Sequence, residues 1–386
     1  NFLFQLDYAL PLSETKKIEL GYKGVFKSYK NNFNVSQFDE SLLYFVTVGG
    51  FKDVINYDEN VNAMYGLYTA SKGKFSYSFG LRAEISDITV QNGESVNTIH
   101  KNYTDIFPSA SMGVELGDGS FLSSSYSRSI SRPHVSQLNP FISFNNERFQ
   151  SVGNPDLNPN YSDYFELLYD KYFNKISIIS ALFVNYGKDQ FLSVIENIGK
   201  NEEGLEIFRR MPINSGDKKI IGMDVDITYK PFKGLRLNTY LSPYNLDHSN
   251  TINNLYDYNS WVLYSEVHAL LSFDNGLRLK ASYLRQSPVK DGQTKLGTIN
   301  TANLSISKDL FEKKASLTFK IIDIFKSKWF PTHSFEANSY TLRRVKYDQQ
   351  FNLSFTYQFN QKRRSIKDRS RDINKDELED KQDKKL

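Results

Sequence analysis

The chain alternates apolar and polar residues with a period of two, over runs longer than an ordinary sheet requires. Phe75, Tyr77, Phe79, Leu81, Ala83 and Ile85 fall on one side of an extended backbone, and Ser76, Ser78, Gly80, Arg82, Glu84 and Ser86 on the other. That dyad pattern describes a strand with one apolar and one wet face. It returns over residues 235–241, 277–283 and 351–359. Strands of soluble sandwiches are typically about five or six residues long, whereas these runs extend to about ten to sixteen. A tilted membrane-crossing strand needs about nine to eleven. Helical periodicity is nowhere convincing outside the charged C-terminal stretch.

The connections alternate in the same regular way. Short turns are expected near residues 11–16, 71–73, 117–119, 173–174, 231–234, 274–276 and 310–313, several of them with Asp-Gly, Asn-Gly or Lys-Gly chemistry. Between them lie Asn-, Ser-, Asp- and Gly-rich segments, read as long loops, at 30–60, 89–103, 132–160, 188–217, 247–257, 287–300 and 325–344. Short turns at one end and long loops at the other are the pattern of an outer-membrane barrel, with its periplasmic turns and extracellular loops. A β-helix or propeller would show a fixed repeat period, and none is visible.

Composition supports the membrane reading without suggesting helices. Mean hydropathy is −0.50, and no stretch approaches the roughly 18 apolar residues of a spanning helix. The load of 29 Phe and 25 Tyr against 2 Trp suits an outward apolar band with interfacial girdles. With no Cys, the chain has neither a disulfide scaffold nor a thiolate site. Residues 360–386 hold ten Lys/Arg against seven Asp/Glu, which accounts for +3 of the net +4. The basic balance therefore belongs to the tail and does not point to nucleic acid.

These observations predict an all-β fold: a transmembrane antiparallel outer-membrane β-barrel over residues 1–359, followed by a charged, disordered periplasmic tail over 360–386. If short turns are periplasmic, the first and last strands both descend toward the periplasm. About fifteen strands result, an odd number where bacterial barrels have an even one. The opening Asn1-Phe2-Leu3 carries no initiator Met and no signal core. Both features predict that strands are missing on the N-terminal side.

Residues 125–173 then supply a specific resemblance. Tyr126-Ser127-Arg128, Ser131-Arg132-Pro133, Leu138-Asn139-Pro140-Phe141 and Gly153-Asn154-Pro155 resemble the signature of the outer-membrane β-barrel family of TonB-dependent receptors. Weaker matches follow in order at residues 80–84, 107–109, 323–325 and 351–359. The resemblance implies a barrel of about 22 strands closed by an N-terminal plug, of which this sequence corresponds to the C-terminal part. It also implies energised uptake of a scarce small ligand (a metal chelate, oligosaccharide or peptide), with the TonB complex acting through the plug region. The alternatives are a plugless passive pore or surface-binding barrel, and, further off, an outer-membrane hydrolase.

The residues of the signature have a physical reading of their own. Arg132-Pro133 ends a strand, because Pro lacks a donor and holds its predecessor extended. Gly153, Asn154, Pro155, Asn158 and Pro159 form a turn-rich strap before a strand starting near Tyr161. With Asn139 and Pro140, this loop is expected either to brace the extracellular rim or to reach over the mouth toward ligand or plug. Tyr357 and Phe359 in the last amphipathic strand resemble the signal read by the barrel-assembly machinery.

Nothing in the sequence assembles a chemical site. His100, His134, His248, His268 and His333 show no metal-ligand spacing. No Gly-x-Ser-x-Gly elbow or phosphate-cradling glycine loop occurs. No cofactor, metal or catalytic residue is therefore expected, and the partners expected are lipid, assembly machinery, TonB and an unidentified ligand. Asp224 and Asp226 share one wet strand face, and Arg82, Arg128, Arg236 and Arg278 are the cations assigned to a polar lumen.

Overall fold

The structure, a computed structural model, describes residues 1–92, 98–140, 143–146, 148–201, 203–250, 257–291, 294–327, 329–335, 340–346 and 348–359. The charged tail expected over 360–386 lies outside the described residues. In chain order the first strands are β1 (Phe2–Ser13), β2 (Lys16–Asp39), β3 (Tyr44–Lys72), β4 (Phe75–Asn92), β5 (Thr98–Gly117) and β6 (Ser120–Ser131). A loop follows that carries the short helix α1 (Val135–Leu138), β7 (Ser143–Asn146) and β8 (Phe149–Ser151). Next come β9 (Asn160–Tyr172), β10 (Ile176–Lys188), β11 (Phe191–Lys200), β12 (Glu206–Asn214), β13 (Gly216–Tyr229), β14 (Leu235–Asn250), β15 (Tyr258–Ser272) and β16 (Leu277–Gln286). The chain closes with β17 (Val289–Asp291), β18 (Thr294–Leu296), β19 (Ile299–Leu310), β20 (Ala315–Ile322), β21 (Trp329–Phe335), β22 (Tyr340–Lys346) and β23 (Gln350–Tyr357).

Fifteen of these strands form one sheet in the order β1-β2-β3-β4-β5-β6-β9-β10-β13-β14-β15-β16-β19-β20-β23. Each strand pairs antiparallel with the next along the chain, skipping only the small loop strands. The strand number and antiparallel order agree with the sequence expectation. Among the described residues β1 and β23 do not pair with each other, so each leaves a row of ladder groups facing outward. Such groups cost several kcal/mol each in hydrocarbon.

The sheet is built inside out relative to a soluble protein. On β4 the apolar row is exposed, with Leu81 at 56% and Ile85 at 62%, while Glu84 at 6% and Ser86 at 1% lie on the covered face. The same division holds across the register: Ile106 of β5 and Leu167 of β9 are exposed, whereas Asp105 and Glu166 are drawn in. A sheet that hides its polar face and presents Phe, Leu and Ile is stable with lipid outside and a wet lumen inside. No helix among the described residues is long and apolar enough to cross a membrane, so crossing falls to the strands.

Above this band the alternation reverses. On β4, Ile88 and Val90 follow Glu84 and Ser86 on the inner face and are fully buried, while Asp87 turns outward. On β14 and β15, Leu246, Tyr258 and Val262 do the same. The exchange marks the level where lipid gives way to water outside and packed loops fill the inside.

Most segments expected to be long loops are strands that continue past the band. The 30–60 segment is a hairpin paired from Lys30↔Asn56 to Asp39↔Tyr44, with a register shift between Asn34 and Ser36. Residues 188–217 contain β11 and β12. Asn- and Ser-rich composition misled here because strand formation depends on cross-strand pairing more than on intrinsic preference. The small strands form two further sheets, β11-β12-β8-β7 and β17-β18-β21-β22.

Candidate functional site

The signature loop enters the mouth of the sheet from the end of β6 and is tied to it at several points. Arg132 donates from Nη2 to Glu84 Oε2 at 2.6 Å, and Arg82 of the same inner face donates to Oε1 of that carboxylate at 2.5 Å. Pro133 is buried behind it, and His134 caps α1: its ring accepts from the Ser136 amide, while Gln137 Oε1 accepts from the His134 amide at 2.8 Å. This reciprocal pairing is a capping box with His in the usual Ser or Thr place.

The helix delivers Leu138 to a fully buried position. Leu138 and Leu157 of the strap join Ile55, Tyr57, Ile88 and Val90 in an apolar cluster inside the mouth. The inward-turned residues above the band are therefore covered by the strap. Gly153 closes the loop on itself, its amide donating to Asn139 O at 2.7 Å while Asn154 N donates to Gln137 O at 2.6 Å. A Cβ at 153 would stand 2.5 Å from Asn139 O and 2.7 Å from Gln137 O, so only Gly allows this approach.

Asn154 also turns the chain locally, accepting from the Asp156 amide at 2.9 Å, and donates to Pro212 O of β12 at 3.1 Å. Asn158 exchanges bonds with Asn214: its amide donates to Asn214 Oδ1 at 2.8 Å, and Asn214 Nδ2 returns to Asn158 O at 2.9 Å. Lys101 of β5 donates to Leu157 O at 2.7 Å, and burial of its ammonium lowers its pKa. Pro159 is buried where β9 begins, Pro155 is half-buried in the turn, and Pro140 is half-buried beyond α1. The strap is thus bound to the inner wall on one side and to the β11–β12 hairpin on the other.

Below the strap the inner wall carries hydrogen-bonded acid pairs. Tyr164 donates to Glu166 at 2.9 Å, Asn238 to Asp226 at 2.9 Å, and His268 lies 3.0 Å from Glu266. Asp224 and Asp226 sit on this face, between the exposed Met223 and the outward Val225 and Ile227. Arg82 joins them beside Tyr65, and Arg278 pairs with Asp309 at 2.5 Å. Arg128 does not: it shares a register row with Asp163 and Tyr186, on the face of the exposed Phe165 and Leu182. The alternation already carries this parity, because Leu122, Tyr126 and Ile130 share the side of Arg128 while Ser123, Ser125, Ser127, Ser129 and Ser131 form the other; the charge of Arg128 outweighed it in the sequence assignment.

The histidines stay apart. His100 contacts Thr89, His134 caps α1, and buried His248 meets Ser215 at 3.0 Å. The side chain of His333 lies outside the described residues. Ser215 donates to Gln190 O at 3.0 Å, a structural bond that leaves no proton for His248 to take. Among the described residues no group of three or more His, Asp or Glu is placed to hold a metal ion. Tyr357 and Phe359 lie at the open edge with their rings 4.6 Å apart.

Three partners of the strap escaped the sequence reading: Glu84, Lys101 and Asn214. Glu84 had a signal, being a carboxylate on the wet side of a strand near its outer end. Lys101 and Asn214 had none, since both fell in segments read as loops.

An inner polar wall, an outer apolar band and a loop domain packed into the mouth define the wall of an outer-membrane β-barrel. The chain belongs to the outer membrane protein β-barrel family, whose model matches residues 1–357, and its place is the outer membrane. No curated protein sequence matches it. Among solved structures it resembles the copper transporter OprC, with 14% identity, a TM-score of 0.65, and coverage of 92% of this chain and 55% of that one. It also resembles the ferric yersiniabactin uptake receptor FyuA from Yersinia pestis (14% identity, TM-score 0.67, 93% and 54% covered). The ferric citrate transporter FecA is similar at 12% identity, TM-score 0.66, with 92% and 53% covered. The chain thus spans about half the length of these proteins, and at such identity the likeness is one of fold.

Proposed function

We propose that this chain forms the lumen wall and extracellular loops of a TonB-dependent outer-membrane receptor that takes up a scarce small ligand. The observation that carries this reading is the strap: a loop drawn into the mouth and fixed to the inner wall through Arg132–Glu84. Such a loop covers the inner wall and brings Gln137 and Asn139 to a cavity at the mouth, where a ligand would be met. The transporters and receptors that the fold resembles give the reading its functional direction. The TonB complex would act through a plug domain outside the residues of this sequence. Strands outside it would satisfy the free edges of β1 and β23, and lipid and the assembly machinery complete the partners, the latter reading Tyr357 and Phe359. The function needs no catalytic group.

The test is made on the polypeptide as it occurs in native outer membranes. A mass well above 44.6 kDa, together with ligand uptake that stops when TonB is removed or the inner-membrane proton gradient is collapsed, is the expected result. A mass near 44.6 kDa with steady, energy-independent conductance in planar bilayers overturns it and leaves the passive pore.

A further inference from the structure

A cavity of about 400 Å³ lies between the outer arm of β2, the strap and the small β11-β12-β8-β7 sheet. Its walls come from three separate parts of the chain. One face of the small sheet buries Leu192 and Val194. The opposite face carries Ser193, Ser151 and Arg210 to the cavity, as their register requires. Phe33 and Asn31 enter from β2, and Gln137 from α1 of the strap.

The chemistry of this lining is selective. Arg210, exposed at the cavity, has its guanidinium carbon 5.1 Å from the Phe149 ring centroid, and its fork of donors suits a carboxylate. Gln137 spends its carbonyl oxygen on the His134 amide, so its NH₂ is the group left for a ligand. Asn31 and Ser193 add an amide and a hydroxyl. Among the described residues lining the cavity there is no carboxylate and no imidazole, so the one charged group it offers a ligand is the Arg210 cation.

We propose that this cavity binds a small molecule bearing a carboxylate on a hydroxyl-rich carbon skeleton. Arg210 takes the carboxylate in its fork. Gln137, Asn31 and Ser193 take the hydroxyls, and the Phe33 ring packs against the C–H face of the skeleton. Two sources share this chemistry: a hydroxycarboxylate of the kind that chelates metals, and an acidic sugar. As the recognition step of the receptor the inference rests on the uptake reading, but binding itself does not require energised transport.

Isothermal titration of the detergent-purified, full native polypeptide tests it with three probes: citrate, D-glucuronate and D-glucose. At least one acid is expected to bind and glucose is not, because glucose lacks the carboxylate. R210Q is expected to weaken acid binding at least about tenfold, the scale of a charge-assisted hydrogen bond. R210K should recover only part, keeping charge without the fork. E196Q, on the opposite face of the small sheet, should leave affinity unchanged. Citrate binding alone identifies a hydroxycarboxylate, and glucuronate alone an acidic sugar. Binding of neither acid, equal binding of glucose, or an unchanged affinity in R210Q overturns the proposal. If R210Q does not fold, as judged by heat-modifiable gel mobility, Q137A carries the same expectation. Because titration is independent of TonB and of polypeptide mass, a failed uptake reading and a failed binding site give different results.

Discussion

Arg132, in the loop leaving β6, and Glu84, on the inner face of β4, meet at 2.6 Å with side-chain exposures of 17% and 8%. The pair joins residues 48 positions apart in sequence and fastens the strap at the height where the inner wall changes from polar to apolar. Arg82 holds the second oxygen of Glu84, so the carboxylate is clamped from the wall and from the strap together.

Removing the strap's half of that clamp leaves a shielded carboxylate with one cation. Arg132→Ala is expected to destabilise the strap by about 3 kcal/mol, the scale for breaking a buried pair. The readout is limited proteolysis within 132–159: wild type resists cleavage and the variant is cut. A double-mutant cycle with Glu84→Gln should recover part of the loss, and strictly additive effects would sink the coupling.

Gly153 makes a second, purely steric prediction. Gly153→Ala places a methyl group 2.5 Å from Asn139 O and 2.6 Å from Asn139 N, both backbone atoms that have no free rotation. The expected cost is about 1–3 kcal/mol, as for other overpacked sites. It should appear as faster hydrogen exchange of the 137–157 amides while those of β4 and β5 stay protected. Unchanged exchange would show that the approach of the two segments is looser than described.

Alkaline pH should release the strap through two tyrosines above the apolar band. Burial pushes Tyr103 up to about 12, and burial with a hydrogen bond to Asp105 pushes Tyr161 up to about 12. A raised folded-state pKa means the folded form holds its proton more tightly. This stabilisation is complete below pH 10, the ordinary tyrosine value, and is lost as pH rises from 10 to about 12. In a tyrosinate absorbance titration these two should be among the groups that ionise late, and Tyr103→Phe should lower the late amplitude by one group. Ionisation of every tyrosine near its ordinary value would refute the burial.

The inverted sheet predicts an asymmetry between neighbouring positions. Leu81→Arg puts a charge on the exposed apolar row of β4 and should cost about 2–4 kcal/mol near the middle of the bilayer. Ser125→Lys on the inner face of β6, opposite Glu166, should change stability by less than about 0.5 kcal/mol. Urea unfolding from lipid vesicles compares them, and equal costs would argue against lipid on the apolar side.

Much of this was legible in the sequence because a strand's period of two writes its two environments directly into the residue order. The β4 pattern from Phe75 to Ser86 carried the fold class, and turn chemistry carried the strand order, since successive antiparallel strands pair with their chain neighbours. The strap was legible as a stiff segment, because Pro133, Gly153 and Pro159 restrict the backbone whatever surrounds them. Its partners were not, because Glu84, Lys101 and Asn214 reach it across gaps that no local pattern records. The outward parity of Arg128 was legible from Leu122, Tyr126 and Ile130 on the same side, but a charge on the lipid-side row runs against the simple apolar-out rule. The sequence by itself determined one-sided strands, their antiparallel succession and the rigidity of the strap, all of which follow from backbone geometry and local periodicity. Only the tertiary structure decided that the long segments pair as raised hairpins and that the strap turns inward onto Ile88 and Val90. It also decided that Arg210 stands over Phe149 beside a cavity, since each of these depends on contacts between distant segments.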